Sequence, residues 1–267
     1  MVRAAVAGIA GRMGTRIAQL IRESEGIDLV AGFEHPDHPA LGRDLAEVLG
    51  GPVTGLKVAS GIEAVIQDAD VVIDFTTPTA SLHHLETAAS GGKPMVVGTT
   101  GFSEEQVRHI RRLTSKIPCV LAPNMSMGVN VLFKVVADVA RLLGSGFDVE
   151  IIEAHHRFKK DAPSGTAMKL AQVAADALGR DLGSAGVYAR HGIIGERTEA
   201  EIGLQTIRAG DIVGEHTVIF GGLGERIELT HRAHSRDNFA RGAIRAALWV
   251  VGRPPGLYDM QHVLGIQ

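Results

Sequence analysis

The sequence predicts an α/β protein with an N-terminal Rossmann-type dinucleotide-binding domain and a second, α+β domain built on a mixed sheet. Three observations carry that expectation. Short apolar runs alternate with helical patterns over the first 126 residues, the first strand-to-helix junction is a glycine turn, and beyond residue 200 three strand-like runs follow one another without a helix between them. Strand and helix alternation with near-continuous apolar strands belongs to a parallel sheet covered on both faces. Strands joined by short loops belong to an antiparallel or mixed sheet, and 267 residues suffice for two modest domains.

Residues 2–7 form the first strand, followed by Gly8-Ile9-Ala10-Gly11-Arg12-Met13-Gly14 and a helix whose Ile17, Leu20 and Ile21 share one face. A second strand over 27–33 ends at Glu34, and a Pro- and His-rich loop runs through Pro39. Residues 62–69 read as helical, 71–75 as a buried strand, 82–90 as a helix closed by Gly91-Gly92, and 94–97 as strand. Ser103 with Gln106 makes a capping box that opens a helix to about residue 115, and 119–121 is the next strand. The pattern changes after a helix over 129–143. Strand 149–154 leads into His155-His156, a helix opens at about Thr166, and the polar, glycine-containing run 179–195 reads as a mobile surface segment. Strands over 202–208, 216–221 and 226–230 precede a last helix over 238–251, expected to pack back on the first domain. The domain boundaries expected are therefore residues 1–126 with 237–267, and 127–236.

Composition removes several classes of function. With 45% hydrophobic and 21% charged residues the chain can build a sizeable core, and a formal charge of -3 gives no basic footprint for nucleic acid or an anionic membrane. No apolar run approaches the ~18 residues of a membrane span, and no leader pattern precedes the first strand. The single cysteine, Cys119, lies in an apolar strand and reads as a small core residue, so a cytoplasmic protein is expected. A thiolate-dependent dehydrogenase is disfavoured for the same reason.

Thirty-three glycines are an excess that needs a cause. Part of it is the turn Gly8-x-x-Gly11-x-x-Gly14, where small residues let backbone N–H groups approach a pyrophosphate at a helix N-terminus. The spacing is one residue longer than G-x-G-x-x-G, but Glu34, at the end of the second strand, stands where a carboxylate accepts from the adenosine ribose. Gly98-Thr99-Thr100-Gly101 follows another strand of the same sheet.

A second constellation runs from Glu153 to Ala167. Two imidazoles, His155 and His156, precede the cations Arg157, Lys159 and Lys160, an arrangement that an anionic ligand relieves. Ser164, Gly165 and Thr166 sit where a helix begins and offer N–H groups and hydroxyls to a carboxylate, while His and Lys side chains deliver protons. Adjacent His155 and His156 would point to opposite faces of a strand, so no metal is expected. His83-His84 and His231/His234 read as surface or loop residues.

Taken in order from Ala5 to Leu264, the glycine turn, Asp74-Phe75-Thr76, Gly98 to Gly101, Ala122-Pro123-Asn124-Met125-Ser126, the double-histidine segment and Arg208-Ala209-Gly210-Asp211-Ile212-Val213-Gly214-Glu215-His216 resemble the dihydrodipicolinate reductase (4-hydroxy-tetrahydrodipicolinate reductase) family. The resemblance implies NAD(P)H-dependent reduction of 4-hydroxy-tetrahydrodipicolinate to tetrahydrodipicolinate, with release of water, in the diaminopimelate route to lysine. It implies a cytoplasmic homotetramer whose second domain binds a small dicarboxylate and builds the oligomer. His155 matches the family's proton donor/acceptor and Lys159 its proton donor; His156, Gly165 and Thr166 match substrate-binding positions. Gly8, Ile9, Ala10, Gly11, Arg12, Met13, Glu34, Gly98, Thr99, Thr100, Ala122, Pro123, Asn124 and Met125 match positions that contact NADH or NADPH. Two departures stand out. His35 occupies the cofactor-binding position where some members carry Arg, which predicts NADH use at least as good as NADPH unless Arg12 or Arg43 holds the 2′-phosphate. Phe158 stands where some relatives have another His, which removes a proton relay through that position.

Overall fold

A computed structural model of the chain describes residues 1–266 and divides them into two compact units, Met1–Met127 with the residues from Asp237 onward, and Gly128–Arg236. The elements run β1 (Val2–Ala7), α1 (Arg12–Ile21), β2 (Ile27–Glu34), α2 (Leu45–Leu49), β3 (Val58–Ser60), β4 (Val71–Asp74), α3 (Pro78–Ser90), β5 (Met95–Val97), α4 (Glu104–Leu113) and β6 (Pro118–Leu121). They continue with α5 (Met127–Leu143), β7 (Asp148–His155), α6 (Gly165–Ala177), α7 (Leu182–Ala185), β8 (Gly186–Val187), β9 (Ile202–Arg208), β10 (Gly214–Gly221), β11 (Arg226–Ala233), α8 (Asp237–Val250), β12 (Gly256–Tyr258) and α9 (Met260–Leu264).

The first unit holds a seven-stranded parallel sheet in the order β12-β6-β5-β4-β1-β2-β3. Strand alternation sorts its apolar residues into two layers. Ala4, Val6, Val71, Ile73, Val96 and Val120 pack with Ile17 and Leu20 of α1 and Ala243 and Ala247 of α8. Ala5, Ala7, Val72, Met95, Val97 and Cys119 pack with Leu85 of α3 and Ile110 of α4. The strand order reverses between β1 and β4, so the crevice at their carboxyl ends is where such a sheet takes its ligand. Helix α8 packs on this unit: Arg16 Nε and Nη2 donate to the two oxygens of Asp237, both at 2.6 Å, and a Cβ on Gly242 would collide with the Met125 carbonyl.

Several elements differ from the sequence reading. Residues 62–69 form two single 3-10 turns, Ile62–Ala64 and Ile66–Asp68, because a stretch this short between β3 and β4 closes too few hydrogen bonds to repay helix nucleation. Its buried Ile62, Val65 and Ile66 nevertheless mimic a helical face. Strands β3 and β12 and helix α2 were not anticipated; each is at most five residues long, the strands held by pairing with β2 and β6 and the helix by its Asp44 cap and buried Leu45 and Leu49. Helix α3 starts at Pro78, four residues before the predicted boundary, with Thr77 as its N-cap.

The second unit holds a five-stranded mixed sheet in the order β11-β10-β7-β9-β8, with β7, β9 and β8 parallel and the other pairs antiparallel. Val149, Ile151, Ile202, Leu204, Val218 and Phe220 face α5 and α6. On the opposite face Ile152, Ile207, Thr217 and Ile219 are half-buried or exposed. The expected mobile segment 179–195 instead contains α7, capped by Asp181 and buried at Leu182 and Ala185, and β8, paired to β9. Beyond it Arg190 grips Glu150 and Glu201, and Arg197 grips Glu150 and Asp148, which pins the 188–201 loop to β7.

Candidate active site

In the first unit the predicted cofactor residues gather at one edge, the carboxyl ends of β2, β1, β4, β5 and β6. Gly8 takes φ +62°, a conformation that favours glycine, and its N–H and that of Ile9 donate to the Phe33 carbonyl at 3.0 and 3.3 Å. A Cβ on Gly14 would collide with the Gly8 carbonyl, so the turn closes onto α1 only because that position is bare. Gly11, the N-cap residue of α1, has no side chain to cap it, and the helix begins without an acidic residue in its first turn. An uncapped helix start in a bare glycine cradle fits a dinucleotide pyrophosphate. Glu34 accepts the Ala10 N–H at 2.8 Å through Oε1, so the carboxylate expected to meet a ribose also braces the glycine turn. His35 is exposed beside Asp37 at 3.6 Å, and Arg12 and Arg43 are exposed.

At the ends of β4 and β5 lies a network the sequence reading did not assign. Asp74 is fully buried; Oδ1 accepts from the Thr76 N–H (2.8 Å), the Thr76 hydroxyl (2.7 Å) and the Ser81 hydroxyl (2.9 Å), with the Thr99 hydroxyl 3.4 Å away. Oδ2 pairs with His84 Nδ1 at 2.6 Å. His84 is therefore no surface residue: its side chain is 12% exposed and its ring stands edge-on to Phe33. Ser81 and Thr99 also bond each other at 2.7 Å, which ties the start of α3 to the Gly98–Thr100 turn. Gly98 leaves room for the Phe75 ring, and farther along the edge Asn124 Oδ1 accepts the Ser126 N–H at 2.9 Å beside buried Ala122 and Met125.

In the second unit strand alternation puts Glu153 and His155 on the helix-covered face of β7, with His156 just past its end. Glu153 is 1% exposed. Its Oε1 accepts from Arg208 Nη2 (2.8 Å), the Ser164 N–H (2.9 Å) and the Thr206 hydroxyl (3.4 Å), and its Oε2 from Arg208 Nη1 (2.9 Å) and His155 Nδ1 (2.5 Å). Burial pushes this carboxyl up, but Arg208, His155 and the Ser164 N–H together hold it below the usual range. Burial lowers the His155 pKa, opposed by Glu153 and reinforced by Lys159 and Arg208.

The Ser164 hydroxyl caps α6 by accepting the Ala167 N–H at 3.2 Å, and exposed Gly165 and half-buried Thr166 open the helix. Lys159 Nζ donates to Asp161 Oδ1 at 2.9 Å, so the cation cluster is partly neutralised from within the loop. His216 was also unassigned. It is 4% exposed, its Nε2 lies 3.2 Å from the Ser164 hydroxyl, and its ring stands edge-on to His155 at 5.2 Å. Burial first, then His155, lowers its pKa to about 4. His231 faces His216 across the β10–β11 ladder and is likewise a sheet residue, not a loop residue. Among the described residues no group of His, Cys, Asp and Glu could hold a metal ion, and no helix is long and apolar enough to cross a membrane.

Comparison with known proteins covers both units. Residues 2–125 match the family model described as dihydrodipicolinate reductase, N-terminus, and residues 128–264 the model described as dihydrodipicolinate reductase, C-terminus. The 4-hydroxy-tetrahydrodipicolinate reductases of Syntrophobacter fumaroxidans and Syntrophus aciditrophicus are 70% and 58% identical over 267 residues, the whole of each chain. Among solved structures, dipicolinate-bound dihydrodipicolinate reductase from Paenisporosarcina sp. TG-14 is 30% identical with a TM-score of 0.77 over 97% of both chains. An amine dehydrogenase from Mycobacterium smegmatis shares the fold alone, at 14% identity and a TM-score of 0.61 over 97% of this chain and 95% of that one.

Proposed function

The chain belongs to the dihydrodipicolinate reductase family, and we propose that it reduces 4-hydroxy-tetrahydrodipicolinate to tetrahydrodipicolinate with NADH or NADPH, releasing water, in the diaminopimelate route to lysine. The carrying observation is the cluster at the end of β7: an oriented imidazole, a lysine and a helix N-terminus within one short loop. A substrate with two ring carboxylates needs such cationic and N–H partners. His156 and the Gly165-Thr166 start of α6 take those carboxylates. His155, through Nε2, and the Lys159 ammonium hold or deliver the protons that offset the negative charge developing on the ring as it is reduced.

Residues 1–126 with 237–267 serve as the dinucleotide-binding domain, and residues 127–236 bind substrate and build the oligomer. Gly8 to Met13, Glu34, His35, Gly98 to Thr100 and Ala122 to Met125 hold the dinucleotide. The cofactor supplies the hydride. The residues around it bind and orient: the bare glycine turn accepts the pyrophosphate and Glu34 the ribose. The half-exposed sheet face carrying Ile152, Ile207 and Ile219 supports assembly into a homotetramer, working in the cytoplasm.

The test couples the purified protein to the preceding synthase, with pyruvate and aspartate semialdehyde, and follows the NADH absorbance band. Oxidation above background is expected; its absence rejects the reading. Lys159→Ala should depress kcat by about 100-fold or more while leaving NADH binding nearly intact, and unchanged turnover would remove Lys159 from catalysis. Light scattering behind a sizing column should give four chains per particle; a monomer refutes the assembly.

A further inference from the structure

We infer that Glu153 is a positioning residue for the reaction, holding His155 in the tautomer and orientation that presents Nε2 to the substrate and tying it to the helix start that binds the substrate carboxylate. The inference rests on the functional reading above. Several donors converge on one buried carboxylate. Arg208 occupies both oxygens, Ser164 N–H occupies Oε1, and His155 Nδ1 occupies Oε2. An ionised carboxylate only accepts, so the nitrogen facing it must carry the proton. Nδ1 of His155 is therefore the donor, and in the neutral ring Nε2 bears the lone pair.

The surroundings agree with that assignment. Nε2 lies over Gly214, where a Cβ would come within 3.1 Å, so the bare position on β10 leaves the ring its place. Arg208, beside His155 in the β7–β9 register, also donates to the Asp161 carbonyl at 2.6 Å. One carboxylate and its guanidinium thus join four parts: the strand bearing His155, the neighbouring strand β9, the loop bearing Lys159 and Asp161, and the Ser164 cap of α6. A shift of the acid/base group relative to the carboxylate-binding helix would have to break this knot.

Glu153→Gln attacks it specifically. Ser164 N–H and Arg208 Nη2 keep the amide oxygen at the Oε1 position, which turns the amide NH2 toward Arg208 Nη1 and His155 Nδ1. That NH2 opposes one donor and makes Nδ1 an acceptor, placing the His155 proton on Nε2, the wrong atom. The groups facing His155 are Glu153 on its own strand, Lys159 and Asp161 in the following loop, Arg208 on β9, His216 on β10 and the Ser164 cap of α6. Of these Glu153 is the carboxylate in direct contact and the one that raises the His155 pKa. Its loss moves His155 titration to lower pH.

The experiment compares wild type with Glu153→Gln and Glu153→Asp. For the Gln variant kcat/KM should fall by about 100-fold, the pH limb reporting His155 should move down by about one pH unit, and NADH Kd should stay within about twofold. Glu153→Asp, which keeps an acceptor, should restore the limb. A kcat/KM within about threefold of wild type, or a large loss with the limb in place, overturns the inference. Nitrogen-15 NMR of the wild-type histidines gives a readout that needs no variant to fold: a neutral His155 protonated on Nδ1 supports it, and one protonated on Nε2 overturns it. If wild type itself oxidises no NADH the functional reading falls, whereas a turning-over wild type with an indifferent Glu153→Gln removes only the positioning role.

Discussion

Replacing Asp74 probes how the strand ends of the first unit are held. Its buried carboxylate gathers one backbone N–H, the Thr76 and Ser81 hydroxyls and the His84 imidazole, and reaches the end of β5 through the Ser81–Thr99 bond. Asp74→Ala removes the acceptor from all of them, but the losses are unequal. Ser81 and Thr99 already bond each other at 2.7 Å and can keep that partnership. The Thr76 N–H and His84 Nδ1 lose their partner outright, and each half-buried orphan costs toward the lower end of about 1–3 kcal/mol. With the void left by the side chain, Asp74→Ala should cost about 3–5 kcal/mol. Asp74→Asn retains an oxygen for the Oδ1 donors and offers an amide N–H to His84, which can accept it by changing tautomer, so its cost should be about 1–2 kcal/mol. Urea denaturation at one fixed protein concentration measures both, since the stability of an assembled protein depends on concentration. Because Thr99 lies in the Gly98–Thr100 turn proposed to hold the dinucleotide, NADH Kd from fluorescence titration should rise about tenfold for the Ala variant. A cost below about 1 kcal/mol for Asp74→Ala, or an Asn variant less stable than the Ala one, would show that this carboxylate does not hold the strand ends together.

Gly14→Ala should fold less stably and lose at least about tenfold in NADH affinity, because the new methyl meets the Gly8 backbone carbonyl, which cannot swing away like a side chain; wild-type affinity would contradict the cradle. His216 stays neutral in the folded state down to about pH 4 while the unfolded chain protonates it near 6.5, so its contribution is intact above pH 6.5 and is lost as pH falls toward 4. Wild type should therefore lose about 3 kcal/mol more than His216→Gln between pH 7 and 4, and parallel stability profiles would refute the assignment. With exposed His35 after Glu34, kcat/KM for NADH should equal or exceed that for NADPH, and an NADPH preference above about 100-fold, ~2.7 kcal/mol, would point to Arg12 or Arg43 as the phosphate partner.

What the sequence disclosed follows the range of the interaction. The glycine turn was legible because Gly8, Gly11 and Gly14 act within a single junction, and Ser164 was legible as a helix start because a cap needs only its next three residues. Glu153 lay in plain view within the double-histidine segment, yet its meaning depends on Arg208, 55 positions away, and on the β7–β9 register that brings the two together. His216 required the β7–β10 register in the same way. Asp74 and the His83-His84 pair were both visible, but only the packing of α3 over β4 turns His84 inward to meet the carboxylate. Strand β8 exists through its pairing with β9, and α7 through the packing of Leu182 beside α6, so most of residues 179–195 carried no local pattern to betray them.

The two units use the same device with opposite charge balance. Each ends a central strand in a buried carboxylate that binds a histidine and a group at the start of the following helix: Asp74 with His84 and Ser81, Glu153 with His155 and the Ser164 N–H. A buried carboxylate costs several kcal/mol unless its lone pairs are met or a cation lies beside it. Asp74 is met mostly by neutral donors, which suits a turn that only has to keep its shape. Glu153 has a bidentate guanidinium as well, so its negative charge is already balanced before His155 changes protonation. An imidazole beside an unbalanced carboxylate is favoured as a cation; here burial of the His155 ring first, then the Lys159 and Arg208 charges, outweigh Glu153 and take its pKa below the ordinary value. Burial, with Lys159 and Arg208 beside it, thereby lets one carboxylate fix where the His155 proton sits without trapping the ring as a cation, the condition a residue must satisfy to take up and give back a proton near neutral pH.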